Sequence, residues 1–349
     1  MILKELSING LIAKIPVIQG GMGVGISLSS LAGAVAGAGG VGIISAAQPG
    51  YNWEGFASNP LKTNLEALAH HIKKAKEIAK GGIIGVNIMC AASNYAEYVK
   101  CCIENKADLI VSGAGLPINL PELVKNSAIK IAPIVSSVKA ANILLSAWDK
   151  RYGKTADMVV VEGPKAGGHL GFTAQQLEED ADFDESLKDI IDNISKFEEK
   201  YDRRVPTVFG GGVFDREDAE RYMNLGCSGV QLGTRFAVTE ECDAHENFKL
   251  AYVNAGIEDV SIVKSPVGLP GRALNNEFIK KLVDNVRPSF ECSNCINGCN
   301  PLTTPYCITK ALINSAGGKL KEGLIFCGEN VHKVKQITTV KKIMSEFSN

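Results

Sequence analysis

The sequence predicts an α/β protein, specifically a (β/α)8 TIM barrel carrying a C-terminal cap region. Eight short apolar runs rich in Val and Ile recur along the chain, each followed by a segment of helix length, which is the pattern of βα units around a parallel sheet. Glycine clusters follow several of these runs, where barrel enzymes place their binding loops. Eight units within about 230 residues suit a closed barrel better than an open doubly wound sheet, the alternative architecture.

In chain order the predicted strands are Val17–Gln19, Val41–Ser45, Ile83–Met89, Leu109–Ser112, Ile131–Val135, Met158–Glu162, Val205–Gly210 and Gly229–Leu232. They are continuous apolar runs, as expected of strands covered on both faces. The predicted helices between them are Leu28–Ala38, Asn64–Ala79, Tyr95–Glu104, Leu120–Lys125, Val138–Arg151, Glu185–Tyr201 and Arg216–Leu225. An acidic, polar stretch from Gln175 to Asp184 interrupts the pattern after the sixth strand. Residues 1–240 are assigned to the barrel and 241–349 to a cap that contains SPVGLPGRAL and a cysteine cluster.

Composition limits the partners. With 37 Lys and Arg against 38 Asp and Glu in 349 residues, the net charge is −1, so neither nucleic acid nor an anionic membrane is an expected partner. Hydrophobic residues make up 45% and charged residues 21%, the range of a globular protein with a sizeable core. No charge occurs between Lys14 and Glu54, a length that would suit a membrane span, but ten glycines interrupt it. A strand, a glycine turn, a helix of small residues and a second strand account for it better. The start, MILKELSINGL, lacks an apolar run of signal-peptide length, so a cytoplasmic protein is expected, its ten cysteines being reduced thiols or metal ligands.

The strand ends carry the candidate chemistry. Gly210-Gly211-Gly212 follows the seventh strand and Gly233-Thr234-Arg235 the eighth, the two loops that commonly form a phosphate site in such barrels. Glycine there lets backbone N–H groups approach phosphate oxygens directly. A cofactor bearing a phosphate is the direct inference. The sixth strand leads into Glu162-Gly-Pro-Lys-Ala-Gly-Gly-His169, a glycine loop with one histidine, whose proton moves near neutral pH. His169 is therefore the candidate general acid or base. His70 and His71 fall in a predicted helix beside Lys73 and Lys74 and read as a solvated face, while His245 and His332 lie in polar surroundings.

Six motifs in register, IQGGMGVG, GVNIM, SGAG, EGPKAGGHLG, FGGGV and GVQLGTRF, resemble the nitronate monooxygenase (2-nitropropane dioxygenase) family over residues 15–275. The FMN-dependent enoyl-[acyl-carrier-protein] reductases are similar in nearly every one of these motifs. Inosine-monophosphate dehydrogenases share the barrel, but the loop after the sixth strand holds no cysteine for their nucleophile. The resemblance implies FMN, with its phosphate at Gly211, Gly212, Gly233 and Thr234. It places Gly21 and Met22 at the flavin ring, Asn87 and Gln231 as polar contacts, and Glu162, Ala166 and Gly167 in the same pocket.

The implied reaction takes an alkyl nitronate and dioxygen to a carbonyl compound and nitrite, with His169 near the reacting carbon. Small-molecule substrate and dioxygen would then be the partners. The alternative is enoyl reduction by NAD(P)H, with acyl carrier protein as partner and a basic rim drawn from Lys139, Lys150, Arg151, Lys264, Arg272, Lys280 and Lys281. A third reading, from another class, is a flavin-binding redox sensor without turnover, which the intact His169 loop speaks against.

The chain departs from the family in Cys292-x2-Cys295-x3-Cys299-x7-Cys307, with Cys327 further on. Four thiolates at this spacing can chelate zinc or an iron–sulfur cluster. A small folded cap with reduced thiols is the alternative. Cys90, Cys101, Cys102, Cys227 and Cys242 read as small core residues.

Overall fold

The structure, a computed structural model, describes residues 2–178, 182–284 and 288–349. Eight parallel strands close into a barrel: β1 (Val17–Gln19), β2 (Val41–Ser45), β3 (Ile83–Met89), β4 (Leu109–Gly113), β5 (Lys130–Val135), β6 (Val159–Glu162), β7 (Thr207–Gly210) and β8 (Gly229–Leu232). The predicted (β/α)8 TIM barrel is the fold, and each strand lies where the apolar runs place it. Successive side chains alternate between two cores. In β3, Ile83 joins an inner cluster with Ile43, Leu109, Met158 and Val208, while Ile84, Val86 and Ile88 pack outward with the helices.

The floor of the barrel is an element absent from the sequence reading, a hairpin of Leu6–Ile8 and Leu11–Ala13. Asn9 and Gly10 form its two-residue turn with φ of 44° and 94°, the left-handed pair that a tight hairpin requires. Leu6, Ile8 and Ala13 seal the inner cluster.

The uncharged stretch is a barrel unit, and most of it is buried. Helix α1 (Ser29–Gly37) follows β1, and α2 (Pro60–Ala79) follows β2. A Cβ at Gly33 would stand 2.6 Å from Cβ of Ile78 in α2, so the small residues set how closely the two helices approach. Among the described residues no helix is long and apolar enough to cross a membrane. The N-terminus of α1 is capped by a distant side chain: Asp243 accepts from the N–H groups of Leu28 (2.9 Å), Leu31 (3.3 Å) and Ser30 (3.4 Å).

Other details differ from expectation. Helix α2 begins a turn early because Asn59 caps it, accepting from Lys62 N, with Pro60 in the first turn. After β4 the helix is only Leu120–Leu123. The acidic stretch opens as the short helix Ala174–Glu178, and residues 179–181 lie outside the described residues. His71 does not lie on a solvated face: it is half-buried, with Nδ1 3.0 Å from Ser29 Oγ, and burial takes its pKa down to about 4.

Beyond β8 the chain crosses the C-terminal end of the barrel. Strands Val260–Lys264 and Pro270–Leu274 form a hairpin, and the second strand also pairs antiparallel with Gly168–His169. A bridge between Ala92 and Ile296 attaches the cysteine segment to the loop after β3. The last helix, Val340–Glu346, leaves the cap and returns to the barrel wall, burying Val340, Ile343 and Met344 in its outer core.

Candidate active site

One cavity of about 450 Å³ opens at the C-terminal ends of the strands, within the range of small-molecule and cofactor sites. Every residue nominated from the sequence for the cofactor or for catalysis lines it: Gly21, Met22, Asn87, Glu162, Ala166, Gly167, His169, Gly211, Gly212, Gln231, Gly233 and Thr234.

The loop after β1 is fixed from within. Gln19 is fully buried; its Oε1 accepts from Ile43 N (3.1 Å) and its Nε2 donates to Ser27 Oγ (2.8 Å) and to Gly20 O. Ser27 Oγ in turn accepts from Met22 N (3.0 Å). These bonds satisfy the loop's polar groups internally and present Gly21 and Met22 to the cavity. A Cβ at Gly21 would overlap that of Asn87 and lie 2.8 Å from its Cγ, so only glycine allows this approach.

The two glycine loops follow neighbouring strands, β7 and β8, and both line the cavity. Gly211 and Gly212 have φ of 118° and 88°, and a Cβ at Gly211 would meet Gly163 O at 2.9 Å. Gly233 leads into the short helix Thr234–Ala237, so β8 ends in backbone N–H groups, as phosphate-binding barrels do. Gly328 N donates to Thr234 Oγ1 (3.0 Å), and Asn330 Nδ2 donates to Gly212 O (2.7 Å). A C-terminal segment thus clasps both loops.

The loop after β6 is held by Arg272, which is buried and therefore no part of a basic rim. Its Nη1 donates to Pro164 O (2.5 Å) and Ala166 O (2.7 Å), and its Nη2 lies 3.6 Å from Glu329. Lys165 pairs with the other oxygen of Glu329 at 3.1 Å. His169 Nε2 lies 2.7 Å from Ser265 Oγ, and its ring stands edge-on to Phe326 with centroids 5.0 Å apart. Burial lowers the His169 pKa to about 4, so the imidazole is neutral at pH 7. Burial likewise raises that of Glu162 to about 8, so this carboxyl keeps its proton there.

Lys165, Phe326, Gly328 and Asn330 also line the cavity, and Ser265 reaches it through His169. Lys165 lies within the EGPKAGGHLG motif, where its charge alone does not mark it as a cavity residue. The others come from the cap, where no short-range spacing signals which residues return to the barrel mouth.

For Cys292, Cys295, Cys299 and Cys307 the spacing left two readings, a zinc or iron–sulfur site and reduced thiols, and the described residues do not present the first. Among the described residues no group of three or more Cys, His, Asp or Glu is placed to hold a metal ion. Cys292 is exposed, with its Sγ accepting from Asn294 N, and Cys307 caps the helix Ile308–Ala316 by accepting from Lys310 N (3.5 Å). Cys295 instead lines the cavity with Ile296, Ile308 and Leu312, an apolar wall supplied by the cap. Cys101, Cys102, Cys227 and Cys242 are buried, while Cys90 is half-buried.

Fold and cavity together define a (β/α)8 barrel with glycine-rich loops around a cavity at its C-terminal mouth, where enzymes of this fold place their active sites. The model of the nitronate monooxygenase family matches residues 5–349, and the chain belongs to that family, whose members are FMN-dependent oxidoreductases. A probable nitronate monooxygenase of Staphylococcus saprophyticus is 27% identical over 319 residues, covering 82% of this chain and 84% of that protein. The (3aS,4S,5R,7aS)-5-hydroxy-7a-methyl-1-oxo-octahydro-1H-indene-4-carboxyl-CoA dehydrogenase of Rhodococcus jostii is 27% identical over 267 residues. That match covers 76% of this chain but only 64% of the relative's length. Among solved structures, FabK of Thermotoga maritima superposes with a TM-score of 0.73 at 25% identity, covering 96% of this chain and 92% of the other.

Proposed function

We propose that the protein binds FMN in this cavity and oxidises alkyl nitronates, supplied as such or formed in the site from the neutral nitroalkane, with dioxygen to carbonyl compounds and nitrite. The observation that carries the reading is His169, held neutral among the glycine loops and the only histidine lining the cavity among the described residues. A neutral imidazole at a cavity wall can take a proton from a carbon acid and return it.

The cavity residues suit the cofactor. Gly211, Gly212 and Gly233 leave room at the phosphate, with the Thr234 hydroxyl beside them. Gly21 lets the backbone lie against a flat ring, and Asn87 and Gln231 offer amides that donate and accept. Bound there, FMN supplies the electron acceptor for the nitronate and the electron donor to dioxygen. The chain's own work is to orient the substrate between Met22 and His169, to exclude water with the cap, and to move a proton at the imidazole.

A second reading, NAD(P)H-dependent reduction of an enoyl thioester, draws support from the apolar wall of Ile296, Ile308 and Leu312, which suits a hydrocarbon chain. Anaerobic stopped-flow of the flavin-loaded protein separates the two. Bleaching of the flavin by an alkyl nitronate is expected; bleaching by NADH with no response to the nitronate assigns the reductase. A purified protein that is colourless and takes up no FMN removes both.

A further inference from the structure

We propose that Ser265 is the positioning residue of the site: it engages His169 Nε2 and leaves Nδ1 as the nitrogen that exchanges a proton with the substrate. The inference rests on the reading of His169 as the acid or base.

Ser265 lies 96 residues from His169 in sequence and is buried, 8% exposed. It stands at the turn of the cap hairpin, where Ser265 N donates to Leu269 O (3.3 Å) and Gly268 N donates to Ser265 O (3.0 Å). The second strand of that hairpin pairs Gly271 with His169. One element of the cap therefore holds both the backbone of His169 and its ring. Phe326, edge-on at 5.0 Å, supports the imidazole from another side and resists the ring flip that would exchange the two nitrogens.

The hydroxyl can meet Nε2 as donor or as acceptor, and the proposed tautomer is the one in which it accepts. A serine oxygen offers two acceptor sites and one proton. Val267 N–H occupies one acceptor site at 3.3 Å, and in the proposed tautomer the second, 2.7 Å from the ring, receives Nε2–H. In that arrangement Nδ1 carries a lone pair, and it has no hydrogen-bond partner among the described residues. On a neutral nitroalkane, the Cα–H bond breaks, its proton forms the N–H bond at Nδ1, and the electron pair remains on the substrate as the nitronate. The imidazolium so formed keeps its Nε2–H on Ser265, so neither the ring nor the serine has to move during the transfer.

The test uses the FMN-loaded protein labelled with ¹⁵N at histidine. Long-range ¹H–¹⁵N correlation of His169 in the wild type is expected to show the Nε2–H tautomer alone. Ser265→Ala is expected to give a mixture of tautomers, and Ser265→Thr, which retains the oxygen, to restore the single form. Turnover of a neutral nitroalkane should fall about 10- to 100-fold in Ser265→Ala through kcat, with KM within about threefold and a smaller loss on the preformed nitronate. Should Ser265→Ala not fold, Ser265→Cys, close in volume and a weak acceptor, gives the same readings. An Nδ1–H tautomer in the wild type, or an unchanged tautomer in Ser265→Ala, overturns the proposal. Full turnover of the neutral nitroalkane by His169→Gln overturns the acid–base reading, and the proposal with it, through a different variant and a different measurement.

Discussion

The buried guanidinium of Arg272 donates to the carbonyl oxygen of Ala166 at 2.7 Å, so a cap strand anchors the loop that runs from Glu162 to His169. With Pro164 O as a second acceptor and Glu329 beside it, Arg272 satisfies carbonyls that a glycine-rich loop cannot satisfy within itself. Hydrogen bonds from a charged donor contribute about 1.5–3 kcal/mol each. Arg272→Met should therefore lower stability by about 2–4 kcal/mol in chemical denaturation and weaken flavin binding as the loop loosens. Denaturation midpoints within error of the wild type would show that the loop stands without this anchor.

Gly21→Ala tests the contact between the loop after β1 and Asn87. The added methyl overlaps Cβ of Asn87, so either the loop or the amide must shift. Overpacking of this kind costs about 1–3 kcal/mol, and here the displaced groups line the cavity proposed for FMN. The expected result is FMN affinity at least about tenfold lower by fluorescence titration, the equivalent of about 1.4 kcal/mol. Wild-type affinity would mean that neither group contacts the ring.

The barrel was legible because its strands are continuous apolar runs, and two loops of the cavity because glycine clusters follow the seventh and eighth of them. The Asn9–Gly10 hairpin also has a local signal, a common tight-turn pair between short apolar alternations. Arg272, placed on a basic rim by its charge, proved buried, since charge alone does not tell a rim residue from an internal anchor. Asn330 and Gly328 had no local signature, and Ser265 opens the SPVGLPGRAL segment, which marks the cap without marking a partner for His169. Their place at the site depends on a tail that crosses the barrel mouth, a tertiary relation that no spacing within the tail encodes.

The end of the chain gives a third prediction. Phe347, two residues from the C-terminus, is 1% exposed and belongs to the barrel's outer core, while Glu346 holds Arg235 through a bidentate pair at 2.6 and 2.8 Å. Phe347→Ala should cost about 3–5 kcal/mol, the loss expected in a core and not at a fraying terminus. Glu346→Gln should cost less, about 1 kcal/mol, because that carboxylate is partly exposed. Urea melts of both variants check the order.

Glu162 supplies a pH dependence of known sign. Burial lifts its folded-state pKa from 4.5 to about 8, above the value in the unfolded chain. Between these values the folded protein holds a proton that the unfolded chain has released, so this group's contribution to stability is complete below pH 4.5 and declines as pH rises through 8. In the flavin-free protein, Glu162→Gln should match the wild type at low pH and gain on it steadily toward pH 8. Parallel stability profiles of the two proteins across that window would show that the carboxyl is ionised and solvated.

The last prediction concerns His169 and the form in which the substrate arrives. A positioned base contributes about 10²- to 10⁴-fold, and only where a proton has to be removed. His169→Ala should lose that factor on a neutral nitroalkane and much less on its preformed anion, while keeping FMN, since the glycine loops do not depend on the imidazole. The acidity of the group gives a second check. With its folded-state pKa lowered from 6.5 to about 4, the imidazole remains a base throughout the neutral and mildly acidic range. The rate on the neutral substrate should therefore stay level as pH falls from 8 to about 5, and decline as the imidazole protonates near 4. A decline centred near 6.5 would place the ring in water, and equal losses on neutral and anionic substrate would assign the histidine to binding and not to proton transfer.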